Sequence, residues 1–134
     1  MIVDTSAVVA VLTGEPERDE LLRQIETGGE EGCRMSVANY LECAVVVDGC
    51  RDPVLSRHLD VLLESLRVEL CAVDEEQARV ARRAYTDFGR GSGHPARLNF
   101  GDCFAYALAS TTGEALVFKG EDFTHTDVRR AGSP

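Results

Sequence analysis

The feature that most constrains this chain is an apolar stretch bordered by a single charge. Residues 103–109 are all apolar, with no polar break. A helix that is apolar on every side is covered by neighbours rather than laid on a surface, so this segment is a central helix of whatever fold forms. Leu98-Asn99-Phe100-Gly101-Asp102 stands immediately before it. Asn99 is suited to cap that helix, which puts Asp102 at the third helical position, where free backbone amides and the positive end of the helix dipole favour an anion. Capping is reason enough for a lone aspartate. Asp102 has company, however: Asp4, Glu42 and Asp122 each end or interrupt an apolar run where the hydrophobic pattern predicts no charge.

Met1-Ile2-Val3 reads as a short strand that stops at Asp4, and Thr5-Ser6 offers hydroxyl caps for an apolar helix over residues 7–12. A carboxylate at the carboxyl end of a buried strand is where open α/β sheets place ligand groups; an aspartate that only shapes the strand-to-helix turn is the alternative. Pro16 leads into an amphipathic helix over 17–27, closed by Gly28-Gly29, and the acids between Glu15 and Glu31 form a solvated face. Arg34-Met35 marks the edge of a second short strand. Ser36 then caps a helix over 37–47 in which Glu42 is the one carboxylate. An unpaired buried carboxylate takes up a proton rather than stay charged, so Glu42 needs a basic side chain, hydrogen bonds or a metal.

Asp52-Pro53 opens a helix with Leu55, Leu59, Leu62, Leu63 and Leu66 inward and Arg57, His58 and Asp60 outward. Residues 68–73 form a strand, and Asp74 caps a helix that runs to Phe88. A glycine-rich loop from Gly89 to Pro95, carrying His94, delivers the chain to Asn99. Residues 115–118 are a buried strand, after which Asp122 repeats the position that Asp4 holds after the first. Strands and helices alternate, which predicts an α/β fold with a short parallel central sheet flanked by helices on both faces. The 134 residues suit one domain over 1–134, with disorder expected only at 131–134.

A net charge of −9 excludes a general nucleic-acid coat, which depends on many Lys and Arg contacts. It leaves a nuclease open, because cations bound in an acidic pocket reverse the local field. Between residues 79 and 97, Arg79, Arg82, Arg83, Arg90 and Arg97 face the single acid Asp87, either as a solvated face or as a contact for phosphate or a partner. Five cysteines, an odd number without a C-x-x-C pair, do not make a disulfide framework. No basic region precedes the short N-terminal apolar run and no run reaches the ~20 residues of a membrane span, so a reducing cytoplasm is expected.

With Asp4 and Asp122 at strand ends, Asp102 at a helix start and Glu42 within a helix, the four acids converge at one end of the sheet. Clustered carboxylates repel, and Mg²⁺ or Mn²⁺ is the counter-charge that oxygen ligands suit. No His or Cys spacing suits zinc. The reaction class is therefore metal-assisted phosphodiester hydrolysis. Asp4 and Asp102 are the expected main ligands, with Glu42 and Asp122 completing the shell or orienting the water. Thr5 or Ser6 can add a hydroxyl. Lys119 either steers the scissile phosphate or stands in water at its strand end, Asp127 is a cap or a peripheral acid, and His94 is a general acid or an ordinary loop residue.

Met1-Ile2-Val3-Asp4-Thr5-Ser6-Ala7, Tyr40-Leu41-Glu42, Leu98-Asn99-Phe100-Gly101-Asp102-Cys103 and the run from Phe118 through Lys119 and Asp122 to Asp127 together resemble the PIN-domain ribonucleases, specifically the VapC toxins of bacterial toxin–antitoxin pairs. The resemblance spans nearly the whole chain, in order, with no departure at the four acids. It implies a PIN-like fold and an endoribonuclease that cuts structured RNA such as transfer or ribosomal RNA, forms a homodimer, and is silenced by a cognate VapB antitoxin whose tail enters the acidic groove. RNA as substrate is carried by the resemblance, since four acids serve DNA equally well. Two rivals stand beside it. A haloacid dehalogenase-type phosphatase needs a second Asp two residues after the first, where Ser6 stands. The other is a catalytically silent module whose acids only meet a basic partner tail.

Overall fold

Ile2 and Val3 make up β1 (Ile2–Val3), and neither is exposed. Successive side chains leave a strand on opposite faces, so each belongs to a different core. Val3 packs with Ala7, Val8, Met35, Cys43, Val47 and Val117; Ile2 packs with Leu98, Cys103, Tyr106, Leu116 and Phe118. The computed structural model describes residues 1–28 and 32–133. Its elements run β1, α1 (Thr5–Leu12), α2 (Arg18–Glu26), β2 (Cys33–Ser36), α3 (Val37–Gly49), α4 (Pro53–Ser65), β3 (Val68–Cys71), α5 (Glu75–Phe88), α6 (Phe100–Thr112) and β4 (Leu116–Val117), followed by a 3₁₀ turn (Asp122–His125).

The sheet is parallel throughout, in the order β3-β2-β1-β4, with Ile2 opposite Arg34 and Leu116, Val3 opposite Val117, and Cys33 to Ser36 opposite Val68 to Cys71. The first core lies under α1 to α4 and the second under α5 and α6, which is the two-faced cover that alternating strands and helices predict. The chain steps outward from β1 to β2 and β3, then crosses back to add β4 on the other side of β1. That reversal makes the carboxyl ends of β1 and β4 the switch point of the sheet, the usual ligand position in such folds.

Several boundaries differ from those the sequence suggests. The first helix begins at Thr5 rather than residue 7, and its cap is Asp4 itself, whose carboxylate accepts from Ser6 N. β3 and β4 are shorter than expected, and β3, at the edge of the sheet, is half exposed. Ala131 is buried, not disordered, because Ala131 N donates to Leu116 O at 2.8 Å and continues the pairing beyond β4. The parts of the helix stop and acidic face that fall on Gly29, Glu30 and Glu31, and the expectation for Pro134, lie outside the described residues. No described helix is long and apolar enough to cross a membrane.

Candidate active site

Asp4 leaves the end of β1 and is only 2% exposed. Its Oδ2 accepts from Ser6 N at 2.9 Å and Ser6 Oγ at 2.6 Å, and Ser6 Oγ in turn accepts from Lys119 N at 3.0 Å. One hydroxyl thus ties the end of β1 to the residue after Phe118. The other oxygen, Asp4 Oδ1, is buried and has no hydrogen-bond partner. An orphaned buried acceptor carries the full cost of its desolvation. Burial accordingly raises the Asp4 carboxyl from 3.8 to about 6, against the lowering effect of the Ser6 hydrogen bonds and with a further push from Glu42.

Asp102 sits where the sequence puts it, in the first turn of α6. Asn99 Oδ1 accepts from Asp102 N, and Asp102 Oδ2 accepts from Asn99 N, both at 2.8 Å, a reciprocal capping box. Capping and chemistry are not exclusive here, since the cap fixes the carboxylate's direction. Burial raises Asp102 to about 7, the Asn99 hydrogen bond opposes this, and the charges of Asp4, Asp122 and Glu42 each push it higher. Three segments therefore contribute acids to the field that Asp102 feels.

Glu42 is held by two residues that sequence reasoning did not single out. Asn39, fully buried in the first turn of α3, donates through Nδ2 to Gly101 O at 3.0 Å and to Glu42 Oε1 at 3.4 Å. Its own backbone carbonyl accepts from Thr5 Oγ1 at 3.3 Å, so α1, α3 and α6 meet at one residue. Gly101 is the second: a Cβ there would collide with the Glu42 carboxylate. The signals were in view as an asparagine three residues before Glu42 and a glycine inside the first turn of a buried helix, where glycine is costly.

Among the described residues, none of Asp4, Glu42, Asp102 and Asp122 is ion-paired with lysine or arginine. Asp122 opens the 3₁₀ turn after β4, exposed but close enough to act on Asp102. The accessory candidates sort differently. Ser6 orients Asp4, while Thr5 serves Asn39. Lys119 forms ion pairs with Glu15 and, at 3.7 Å, with Glu17, which ties it to the turn between α1 and α2. Asp127 accepts from Tyr106 OH at 2.7 Å. His94 stacks edge-on against Phe88 with centroids 4.9 Å apart, and its Nδ1 accepts from Ala96 N. Of the arginines, Arg79, Arg82 and Arg83 line one hollow on α5 with Thr86; Arg90 and Arg97 adjoin the Gly89–Leu98 pairing beyond it.

The donor chemistry fits a hard divalent cation: oxygen ligands alone, no paired lysine or arginine among the described residues, and a buried orphan oxygen on Asp4. Among the described residues no three acids, histidines or cysteines stand close enough to form a ready-made ligand cage.

A parallel sheet whose switch point carries acids with no lysine or arginine partner among the described residues makes this an α/β protein with a candidate hydrolytic site. Residues 1–129 match the PIN domain. Ribonuclease VapC28 of Mycobacterium tuberculosis is 53% identical over 131 residues, covering 98% of this chain and 97% of that protein. Among solved structures, M. tuberculosis VapC20, described as a sarcin-ricin loop cleaving toxin, superposes with a TM-score of 0.74 at 15% identity, over 95% of both chains. A toxin–antitoxin complex from Klebsiella pneumoniae gives 0.67 at 15% identity, over 91% of this chain and 88% of that one. The chain belongs to the PIN-domain family, within its VapC ribonuclease branch.

Proposed function

We propose that this protein is a Mg²⁺- or Mn²⁺-dependent endoribonuclease, the toxin of a type II toxin–antitoxin pair, which hydrolyses phosphodiester bonds in structured RNA such as tRNA or rRNA. The observation that carries the reading is the buried, unpartnered Asp4 Oδ1 in a field shared with Glu42, Asp102 and Asp122 and paired with no basic side chain among the described residues. Asp4 and Asp102 would hold the cation, with Glu42 and Asp122 beside them. When bound, it supplies positive charge for the scissile phosphate and acidifies a water.

The chain's own residues do the positioning. Ser6 pins one Asp4 oxygen and leaves the other available, Asn99 aims Asp102, and Asn39 with Gly101 sets the distance between Glu42 and α6. Glu42 and Asp122 would complete the shell or orient the attacking water. Arg82, Arg83, Arg90 and Arg97 would contribute positive surface for RNA, beside Arg79, which is ion-paired with Glu75. A cognate VapB-type antitoxin is the expected partner, since K. pneumoniae offers a structural neighbour solved as a toxin–antitoxin complex. The protein acts as a homodimer in the cytoplasm, in keeping with five free cysteines.

Cleavage of total RNA with Mg²⁺, compared between wild type and Asp102→Asn, tests the reading. Wild type is expected to cut and the variant to lose at least about a hundredfold, as for removal of a group that stabilises the transition state. Equal cleavage by a folded variant would leave only the silent acidic module.

A further inference from the structure

Of the 14 lysines and arginines in the chain, Lys119 is the one lysine. It stands at the switch point of the sheet, directly after Phe118. Its backbone N donates to Ser6 Oγ at 3.0 Å, and Ser6 Oγ donates to Asp4 Oδ2 at 2.6 Å, so the lysine stem starts two hydrogen bonds from a carboxylate of the site. The difference from arginine matters here. An ammonium on a flexible four-carbon stem is a point charge that changes partners without having to match a planar fork.

The ammonium is turned away from the site all the same, and pairs with Glu15 and Glu17. Glu15 is set firmly in the turn between α1 and α2. Gly14 takes the left-handed conformation there, with φ at 68°; Glu15 N donates to Ala10 O at 3.0 Å, and Glu15 Oε1 accepts from Thr13 Oγ1 at 3.3 Å. A positioned carboxylate thus keeps the lysine off Asp4, Glu42, Asp102 and Asp122, where its charge would compete with a cation. All three paired side chains are partly exposed, and ion pairs of that kind are weak and screened by salt. The contact holds Lys119 without committing it.

The side on which it is held is also informative. α1 and α2 cover one face of the sheet and α5 the other. Arg79, Arg82 and Arg83 lie with α5, whereas Lys119 leans toward the opposite flank. Resting on the ribonuclease reading above, we infer that Lys119 is an RNA-backbone contact held in reserve, which leaves Glu15 and Glu17 for a phosphate beside the cleaved bond when RNA enters. The two glutamates set how readily it leaves. A contact to a neighbouring phosphate is made equally in the bound substrate and in the transition state, so it acts on KM and not on kcat.

Steady-state cleavage of an RNA oligonucleotide in Mg²⁺ tests this with three variants. Lys119→Gln is expected to raise KM about tenfold with kcat within about twofold, as for loss of one charge-assisted contact. Glu15→Gln/Glu17→Gln is expected to lower KM about threefold, because the lysine is no longer held. The triple variant is expected to match Lys119→Gln alone, since the glutamates act through the lysine. A pair that only braces the α1–α2 turn would move KM the same way whichever partner is removed, and that result overturns the inference. So does an equal drop in KM on removing the glutamates when Lys119 is already absent, which would report general repulsion of RNA. A second readout does not depend on turnover. In the Asp102→Asn chain labelled with ε-¹³C lysine, the single lysine signal is expected to move as the same RNA is added, and a signal that stays in place overturns the contact. If wild type fails to cut RNA and the signal still moves, the ribonuclease reading falls and the lysine contact stands; if neither occurs, both fall.

Discussion

Replacing Asp4 by asparagine separates what the site costs the fold from what it does for the chemistry. Asparagine caps a helix as well as aspartate does, and its Oδ1 can accept the two Ser6 hydrogen bonds now made at 2.9 and 2.6 Å. The charge is what changes. The Asp4 carboxyl ionises at 3.8 when unfolded and at about 6 when folded, chiefly because of burial. Over that interval the folded chain holds a proton that the unfolded chain has released, so wild type loses stability as pH rises through it. At about 1.4 kcal/mol per pK unit the loss reaches about 3 kcal/mol above the folded value, or roughly 10 °C in Tm for a chain of this size. The amide of the Asp4→Asn variant does not titrate. Asp102 is present in both proteins, and removing its Asp4 neighbour relieves it in the same direction. Thermal melts in chelator are therefore expected to show Asp4→Asn gaining on wild type by about 3 kcal/mol between pH about 4 and about 7, while RNA cleavage is lost. Added Mg²⁺ at neutral pH is expected to narrow the gap, since it binds folded wild type alone. A gap that stays flat with pH, or that favours wild type as pH rises, refutes the argument that Asp4 is held charged against its surroundings.

Gly101→Ala is expected to leave stability unchanged or raise it by up to ~1 kcal/mol from helix propensity, yet to depress cleavage, because the new methyl displaces the mobile end of Glu42; calorimetry with an RNA assay separates the two effects. Asn39→Ala removes the amide that donates to the Gly101 carbonyl and to Glu42, an expected loss of about 1–3 kcal/mol for the two bonds in urea melts together with activity. Lys119→Ala, which breaks only the pairs to Glu15 and Glu17, is expected to cost at most ~1 kcal/mol by denaturant titration.

The fold was legible because its governing signals are local. Asn99 before residues 103–109, Ser36 before α3, Asp52-Pro53 before α4 and Asp74 before α5 all cap as expected. Apolar two-residue strands such as β1 and β4 report burial on both faces without needing a neighbour. Boundaries fared worse where one residue serves two purposes. Asp4 ends a strand and caps a helix at once, so the hydroxyls of Thr5 and Ser6, the obvious local caps, are free for longer-range work. At the C-terminus, polar composition pointed to disorder, whereas the backbone of Ala131 is fixed by pairing with Leu116, which composition cannot register.

The acids themselves stood out because each violates an apolar pattern, and such violations are expected at functional sites. The parts that set their spacing did not stand out, for the opposite reason. Asn39 lies one turn before Glu42 on a helix whose outer face is itself apolar, and Gly101 adds no side chain at all; each acts by what it allows another segment to approach. Their roles exist only across the junction of α3 with α6, 62 residues apart in sequence for the Asn39 to Gly101 hydrogen bond. The same distinction governs Lys119 and Asp127. Both look like site residues by adjacency in sequence, yet each finds its counter-charge or donor outside the acid cluster, Lys119 at the turn before α2 and Asp127 at Tyr106. A charge that already has a partner contributes little to a cation site. Asp4, Glu42, Asp102 and Asp122 have no lysine or arginine partner among the described residues, which leaves them available to the cation proposed above.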